Sequence, residues 1–107
     1  MDNWTFDQFL GFVLIHAANA DDGIAKKEQR LLESKVGKDT IEEMMFIYED
    51  LSDIETINVI LSYKEKYFPT EADRDSLLSE ISKVLAVDHG VSSAEQETLM
   101  MMRKLLR

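Results

Sequence analysis

Cysteine is absent from the 107 residues of the chain, and proline and glycine are scarce. Without cysteine, the protein has no disulfide framework, no thiolate nucleophile and no zinc site with cysteine ligands. This absence fits a reducing compartment, and we expect a cytoplasmic protein. One proline and four glycines leave few points at which a helix must stop. The abundant Leu, Ile, Met, Glu and Lys favour helix throughout.

Basic residues are also few, with 12 Lys and Arg against 21 Asp and Glu and a net charge of −9. The chain lacks the clustered positive charge that binds nucleic acid or an anionic membrane surface, so we expect neither partner. Cations and basic proteins are its electrostatically natural ligands, although acidity can also serve solubility alone. The longest apolar runs, Phe12–Ile15 and Val84–Val87, are too short to cross a bilayer. We also expect no signal peptide.

Five helix starts carry the capping-box pattern, in which a hydroxyl accepts from the backbone N–H three residues later and that later side chain accepts in return. The five pairs are Thr5/Gln8, Thr40/Glu43, Ser52/Glu55, Thr70/Asp73 and Ser92/Glu95. With Gly37 and Pro69 as helix ends, they predict six helices, over 5–20, 25–36, 40–50, 53–66, 70–87 and 92–106. No alternating stretch predicts a strand. The predicted fold class is an all-α bundle in a single domain, 1–107.

Two of the predicted helices, 5–20 and 70–87, are apolar on nearly every side, which is typical of helices at the centre of a core. The helices over 40–50 and 53–66 have narrower apolar stripes. We expect these two to cover the core from outside.

The sequence contains one internal repeat, because Asp21–Leu32 aligns with Asp88–Leu99 without a gap. Each copy follows an apolar helical stretch and leads into another helix. The recurring acidic and glycine positions are Asp21, Gly23 and Glu28 in the first copy and Asp88, Gly90 and Glu95 in the second. The repeat predicts two helix–acidic turn–helix units related by an approximate twofold axis, with the helices over 5–20 and 70–87 packed together.

Two interpretations of the repeated turn stay open. In the structural one, Asp accepts from backbone N–H groups, Gly provides a positive φ and Glu lies in the first turn of the next helix. In the functional one, the turn resembles part of an EF-hand loop, although the first ligand positions fall on Ala17 and Val84, which have no side-chain oxygen. The functional interpretation predicts a weak site for a divalent cation, with Asp21, Glu28, Asp88 and Glu95 as ligands.

The last predicted helix has an unusually broad apolar face, formed by the run Leu99–Met102 followed by Leu105 and Leu106. Methionine fills irregular gaps in cores, and it also forms adaptable surfaces that bind partners. Both uses stay open. For the second, the predicted interface residues are Met100, Met101 and Leu105, with Trp4 and Phe6 as an extension of the patch.

Patterns typical of catalysis are missing from the sequence. No serine lies in a nucleophile elbow, and no glycine-rich loop is suited to phosphate. His16 and His89 lie near the two turns, but isolated histidines of this kind more often pack or form hydrogen bonds than bind metal. We therefore expect a protein that is not an enzyme and has no catalytic residues.

The chain resembles a TerB-like domain, the family of the tellurite-resistance protein TerB. The resemblance lies in an apolar helix that ends in small residues, followed by an acidic Asp-x-Gly turn, an apolar residue and a Glu at the start of the next helix. The matching segments are Ala17–Glu28 and Val84–Glu95, within a resemblance over roughly 9–106. The family usually has Asp directly followed by Gly, whereas Asp22 and His89 intervene here.

The resemblance implies an all-α, pseudo-symmetric bundle and a non-enzymatic role in bacterial stress responses. Such roles are linked to tellurite or other toxic anions, phage defence and membrane-associated complexes. The resemblance also implies metal binding at the acidic turns, at positions that match Asp21, Glu28, Asp88 and Glu95. Two hypotheses follow: a module that binds another protein or a second copy of itself through the last helix, and a divalent-cation sensor.

The sensor hypothesis predicts that calcium, magnesium, manganese or zinc raises the melting temperature, because a ligand that binds only the folded state stabilises it. Asp88→Ala should abolish this rise. An NMR titration in millimolar metal that shows no shifts at Asp21, Glu28, Asp88 or Glu95 would remove the hypothesis.

Overall fold

The computed structural model describes residues 3–19, 23–86 and 93–105, except the side chains of 93–95 and 105. Within these ranges the chain forms helices and no strand, which confirms the predicted all-α bundle. In chain order the helices are α1 (Phe6–Ala18), α2 (Lys26–Val36), α3 (Lys38–Glu49), α4 (Asp53–Ser62), α5 (Lys64–Tyr67), α6 (Glu71–Leu85) and α7 (Ser93–Leu105).

Three helices begin at the capping boxes that the sequence predicts. Thr5 caps α1, Ser52 caps α4 and Thr70 caps α6, and in each case the side chain three residues later accepts from the cap's own N–H. The bond from Thr70 N to Asp73 Oδ2 is the longest of the three return bonds at 3.4 Å, because Asp is shorter than Gln or Glu. The predicted box at Ser92 and Glu95 lies outside the described residues and side chains.

The predicted box at Thr40 and Glu43 is wrong, because α3 begins two residues earlier. Gly37, at φ +95°, ends α2 and also caps α3. Its N–H donates to Glu33 O at 2.9 Å, while its carbonyl accepts from Ile41 N at 3.1 Å. Gly37 therefore joins the two helices by itself. A residue with a Cβ atom would be strained at this positive φ.

The single helix predicted over 53–66 is also wrong, because the chain breaks at Tyr63 into α4 and α5. Tyr63 N donates to Ile60 O at 3.2 Å, a tighter turn than an α-helix makes. The break allows the Tyr63 ring to enter an aromatic cluster with Trp4, Phe9 and Tyr67. The chain then leaves α5 at Phe68, before Pro69, as the sequence predicts.

Helix α1 lies at the centre of the bundle. Every residue from Phe9 to Ile15 is buried, as are Ala17 and Ala18. Helices α2, α3, α4, α6 and α7 all contact α1. Burying one Leu or Phe side chain contributes roughly 1.5–3 kcal/mol relative to leaving it exposed, so α1 provides a large share of the apolar driving force for folding.

Helix α6 packs against α1, as predicted, but it is amphipathic and not apolar on nearly every side. Its buried residues are Leu77, Leu78, Ile81, Val84 and Leu85. Glu71, Asp75, Ser79 and Lys83 are exposed on the same helix. The charged first half of the helix therefore faces solvent.

The contacts between helices follow the two repeated units. Helix α2 contacts both α1 and α6, while α7 contacts both α6 and α1. In each unit, the second helix thus contacts the first helix of its own unit and the first helix of the other unit. Two units related by an approximate twofold axis produce this pattern of contacts. Helix α3 packs on α1 and α2 through Ile41 and Met44, and α4 covers α1 through Ile60, so both lie outside the central pair as predicted.

Trp4 belongs to the core and does not extend a surface patch, which corrects the prediction for this residue. Its ring stacks on Tyr63 at 5.5 Å between centroids, with 4° between the planes. Trp4 N donates to the Tyr63 hydroxyl at 3.1 Å, and the Tyr67 hydroxyl donates to the Trp4 carbonyl. Two tyrosines thus satisfy the backbone of the segment that leads into α1.

Tyr63→Phe should lower the free energy of unfolding by about 1–3 kcal/mol, because it keeps the stacked ring but leaves the buried Trp4 N–H without its acceptor. Urea denaturation with a two-state fit measures the loss. Tyr48→Phe is the matched control, because among the described residues its hydroxyl accepts a single exposed bond, of 3.4 Å, from Asn19 Nδ2, and we expect a loss of less than about 0.5 kcal/mol. Equal losses in the two variants would contradict the role given to Tyr63.

Candidate functional site

The residues predicted to bind metal are described only in part. Asp21 and Asp88 lie outside the described residues, and Glu95 lies on α7 with its side chain outside the description. Within the described ranges, no group of three or more His, Asp or Glu side chains is arranged to hold a metal ion. The four-residue metal site therefore stays a prediction.

Glu28, the described member of that set, has a structural role at the start of α2. Its side chain is 5% exposed, and Oε1 accepts from the backbone N–H of Ala25 at 2.9 Å. Ala25 has no hydroxyl, so Glu28 makes the return bond of a capping box whose first half is missing. Gly23, at φ +104°, provides the positive φ expected at the first turn. The positive φ of Gly23 and the place of Glu28 in the first turn of α2 agree with the structural interpretation of the repeat, while its contact from Asp21 lies outside the described residues.

The methionines of α7 divide between the core and the surface. Met102 is 2% exposed, whereas Met100 is 61% and Met101 is 56% exposed. Successive helical residues point about 100° apart, so a run of three cannot lie on one face. Met102 fills the core, and the predicted interface residues Met100 and Met101 are open to solvent. The side chain of Leu105 lies outside the description.

Met101 lines a cleft of about 270 Å³, which we call the α1–α7 cleft. Four helices or their ends contribute to it. Its lining residues are His16 and Asn19 at the end of α1, Tyr48 on α3, Asp53 and Ile57 on α4, and Thr98, Met101 and Met102 on α7. The cleft thus joins the end of the central helix to the exposed methionine face.

His16 is the ionisable side chain on the apolar helix α1 that faces this cleft. Its Nδ1 atom is buried and has no hydrogen-bond partner among the described residues. Burial lowers the pKa of His16 below its ordinary value of 6.5, and the negative charge of Asp53 offsets part of that effect. The ring lies 6.0 Å from the Tyr48 ring, centroid to centroid. At neutral pH His16 is therefore an uncharged side chain with an unsatisfied buried nitrogen.

Tyr48 and Asn19 form one wall of the α1–α7 cleft. Asn19 Nδ2 donates to the Tyr48 hydroxyl at 3.4 Å. The same pair lines a second cavity of about 140 Å³ together with Ile24, which follows the first repeated turn. The cleft therefore borders the turn that the sequence singles out, and it brings His16 close to the Met-rich helix.

A larger cavity, of about 390 Å³, lies between α1, α2 and α6, and two of its three charged lining residues, Lys35 and Glu80, are paired with each other. Lys35 Nζ donates a hydrogen bond to Glu80 within this ion pair, and that bond lowers the pKa of Glu80 below its ordinary value. Phe6 lines this cavity and not the α1–α7 cleft, so the predicted extension of the methionine patch through Phe6 is wrong. Asp73, the third charged residue of this lining, accepts from the backbone N–H of Thr70 at the cap of α6.

The sequence gives His16 as a candidate metal ligand but does not predict its neighbours. Tyr48, Asp53 and Thr98 come from three other helices, and no spacing in the chain links them to His16. One signal in the sequence does point to His16. It is the ionisable residue within the apolar stretch 9–18, and an ionisable side chain in such a stretch is uncommon enough to need an explanation.

Comparison with known proteins finds no matching protein family, no matching curated protein and no matching solved structure. The TerB-like resemblance therefore stays a prediction. Among the described residues, no helix is long and apolar enough to span a membrane.

The lowered pKa of His16 predicts that the folded protein loses stability as the pH falls below about 6.5 toward the folded-state pKa. The unfolded chain takes up the proton at a higher pH than the folded chain does, so acid favours unfolding in this window. Urea midpoints measured from about pH 7.5 to about pH 5.5 test this, above the range in which most carboxylates titrate. His16→Gln should flatten the slope. A slope that His16→Gln does not alter would contradict the assignment.

Proposed function

We propose that this protein is a non-enzymatic interaction module that binds a partner protein at the α1–α7 cleft and the adjoining exposed methionines. The observation that carries the proposal is the position of Met101, which is more than half exposed and also lines the cleft. Exposed methionine next to a concave site is typical of adaptable helix-binding surfaces, because the thioether side chain repacks around different partners.

The apolar surface continues along α4. Ile57 lines the α1–α7 cleft, and Ile54, one helical turn earlier, is 73% exposed. Residues three apart on a helix are neighbours, so these two side chains extend the cleft toward the start of α4. A partner helix laid across α4 and α7 would meet Ile54, Ile57 and Met101 with its apolar face.

The net charge of the chain favours a different protein over a second copy of this chain as the partner at this surface. The chain has a net charge of −9, so two copies repel each other, whereas a basic partner is attracted. Asp53 places a negative charge in the cleft itself. We therefore assign the surface to a basic, amphipathic segment of another protein. In keeping with the TerB resemblance, this partner would belong to a bacterial stress-response complex, which is cytoplasmic or membrane-associated.

The geometry at His16 supports a non-enzymatic role. Nucleophilic catalysis needs a base in hydrogen-bond contact with a hydroxyl or a similar group. Among the described residues, no hydroxyl contacts the buried Nδ1 atom of His16. The cleft offers shape and polarity for binding without an assembled acid–base pair at that nitrogen.

A synthetic amphipathic helix of leucine and lysine, about 18 residues long, is the probe for the proposal. We expect it to shift the methyl resonances of Met100 and Met101 and to leave those of Met44 and Met45 on α3 in place. A sequence-scrambled peptide should not bind. Met101→Glu should weaken binding at least about tenfold, the loss expected at an interface anchor.

Phe46→Glu is the matched control, because Phe46 is 72% exposed on α3 and does not line the cleft. It adds the same charge and removes a similar exposed apolar side chain. Equal weakening by both variants would contradict the proposed site. Light scattering at several concentrations tests whether a second copy of the chain occupies the surface instead. A dimer that dissociates in the Met101→Glu variant would show that the partner is a second copy and not a basic segment of another protein.

A further inference from the structure

Two methionines of α7 are, among the described residues, the sulfur-containing side chains most open to solvent. Met100 is 61% exposed and Met101 is 56% exposed, whereas Met102 on the same helix is 2% exposed and Met44 on α3 is fully buried. The chain contains no cysteine, so no thiol competes for an oxidant and methionine carries all of its sulfur. The chain therefore presents oxidisable thioethers on one helix face.

A thioether reacts with a two-electron oxidant such as hydrogen peroxide without any further reactant. One peroxide oxygen forms a bond to the methionine sulfur while the O–O bond breaks, and the other oxygen leaves as water. The sulfur is oxidised to a sulfoxide and the peroxide is reduced, so one thioether and one peroxide give one sulfoxide and one water. Methionine sulfoxide reductases reverse the change, with one enzyme for each sulfoxide epimer.

Oxidation of Met101 would change the wall of the α1–α7 cleft. The reduced side chain lines the cleft together with Ile57 and Met102, and it offers an adaptable apolar contact. The sulfoxide is polar, and an apolar helix laid over it supplies no hydrogen bond in exchange for the water that it displaces. A leucine at this position would give a similar apolar area without the reactive sulfur. Methionine therefore adds sensitivity to oxidants to the contact.

The fold does not depend on the reduced state of the two exposed methionines. More than half of each side chain is in solvent, so a sulfoxide at either position stays hydrated in the folded protein. Met102 belongs to the core cluster with Met44, and these two can react only after their surroundings open. An oxidant therefore alters the surface before it reaches the core.

We propose that Met100 and Met101 form a methionine oxidation site, at which hydrogen peroxide or another two-electron oxidant reversibly weakens partner binding at the α1–α7 cleft. Met101 is the residue that changes the binding, because it lines the cleft, and Met100 is oxidised with it. This inference rests on the proposed function, since it names a regulation of the same surface. The sulfoxide reductases restore the binding surface.

The methyl NMR resonances of the methionines, which oxidation moves, test the selectivity of the site during timed exposure of the folded protein to hydrogen peroxide. We expect Met100 and Met101 to react at least about tenfold faster than Met44 and Met102, because the buried pair waits for local opening. Circular dichroism should show that the helices persist when the exposed pair is converted. Equal rates at all four residues, or unfolding as the first two react, would overturn the oxidation site.

Binding of the leucine–lysine helix before and after peroxide treatment tests the effect on docking. This probe contains no sulfur, so only the protein is oxidised. We expect oxidation to weaken binding to the wild-type protein roughly tenfold, the loss of an interface anchor, and reductase treatment to reverse the loss.

Two variants assign the loss to one side chain. In Met101→Leu, the ratio of the affinities before and after peroxide should fall to about threefold or less, the part left by Met100. Met45→Leu is the matched control, because Met45 is a half-buried methionine of α3 that does not line the cleft, and it should keep the roughly tenfold ratio. Each ratio is taken within one variant, so a difference in starting affinity cancels.

The outcomes separate this inference from the proposed function. If the reduced protein binds the helix and oxidation leaves the affinity unchanged, or if Met101→Leu loses binding as the wild-type protein does, the redox control is wrong and the proposed function stands. If the reduced protein binds no helix, the proposed function is wrong and the control of docking falls with it. The NMR rates still decide in that case whether Met100 and Met101 are a selective oxidation site.

Discussion

The burial of α1 is the constraint on which the rest of the structure depends. A helix with an unbroken buried run from Phe9 to Ile15 cannot leave any side facing water, so other helices must cover it all round. The two repeated units alone supply α2, α6 and α7 for this purpose, and α3 and α4 close the remaining side. The same demand explains the break at Tyr63. The chain leaves a helical path there so that aromatic rings reach the start of α1.

His16 is the one partly exposed residue between Phe9 and Ala18. Burial is complete from Phe9 to Ile15 and again at Ala17 and Ala18, and Asn19, which follows the helix, is exposed. Four helices converge at this point without filling the space between them, and the cleft is the result. Lys35 and Glu80 satisfy each other in the cavity between α1, α2 and α6, whereas the buried Nδ1 atom of His16 has no hydrogen-bond partner among the described residues. An exception to complete hydrogen bonding is more often found at a functional position than elsewhere.

Local signals made part of this architecture predictable. Capping boxes at Thr5, Ser52 and Thr70 depend on residues three apart, and the repeated glycine at 23 depends on one φ angle, so both are legible in the sequence. The start of α3 is not predictable in this way, because Gly37 serves two helices at once and the pattern at Thr40 indicates a later start. The grouping of His16, Tyr48 and Asp53 was not predictable, because it depends on how helices pack and not on spacing along one of them.

The separation in sequence of the cleft's walls has a consequence for folding. His16 comes from the first helix and Met102 from the seventh, so the site exists only after contacts between distant parts of the chain have formed. Such long-range closure is a late, entropically costly event compared with the formation of single helices. A chain in which α7 is detached would keep α1–α6 but would lose Thr98, Met101 and Met102 from the lining of the α1–α7 cleft. The proposed partner would then bind only completely assembled molecules and would slow the local opening of α7, which would appear as added hydrogen-exchange protection in that helix.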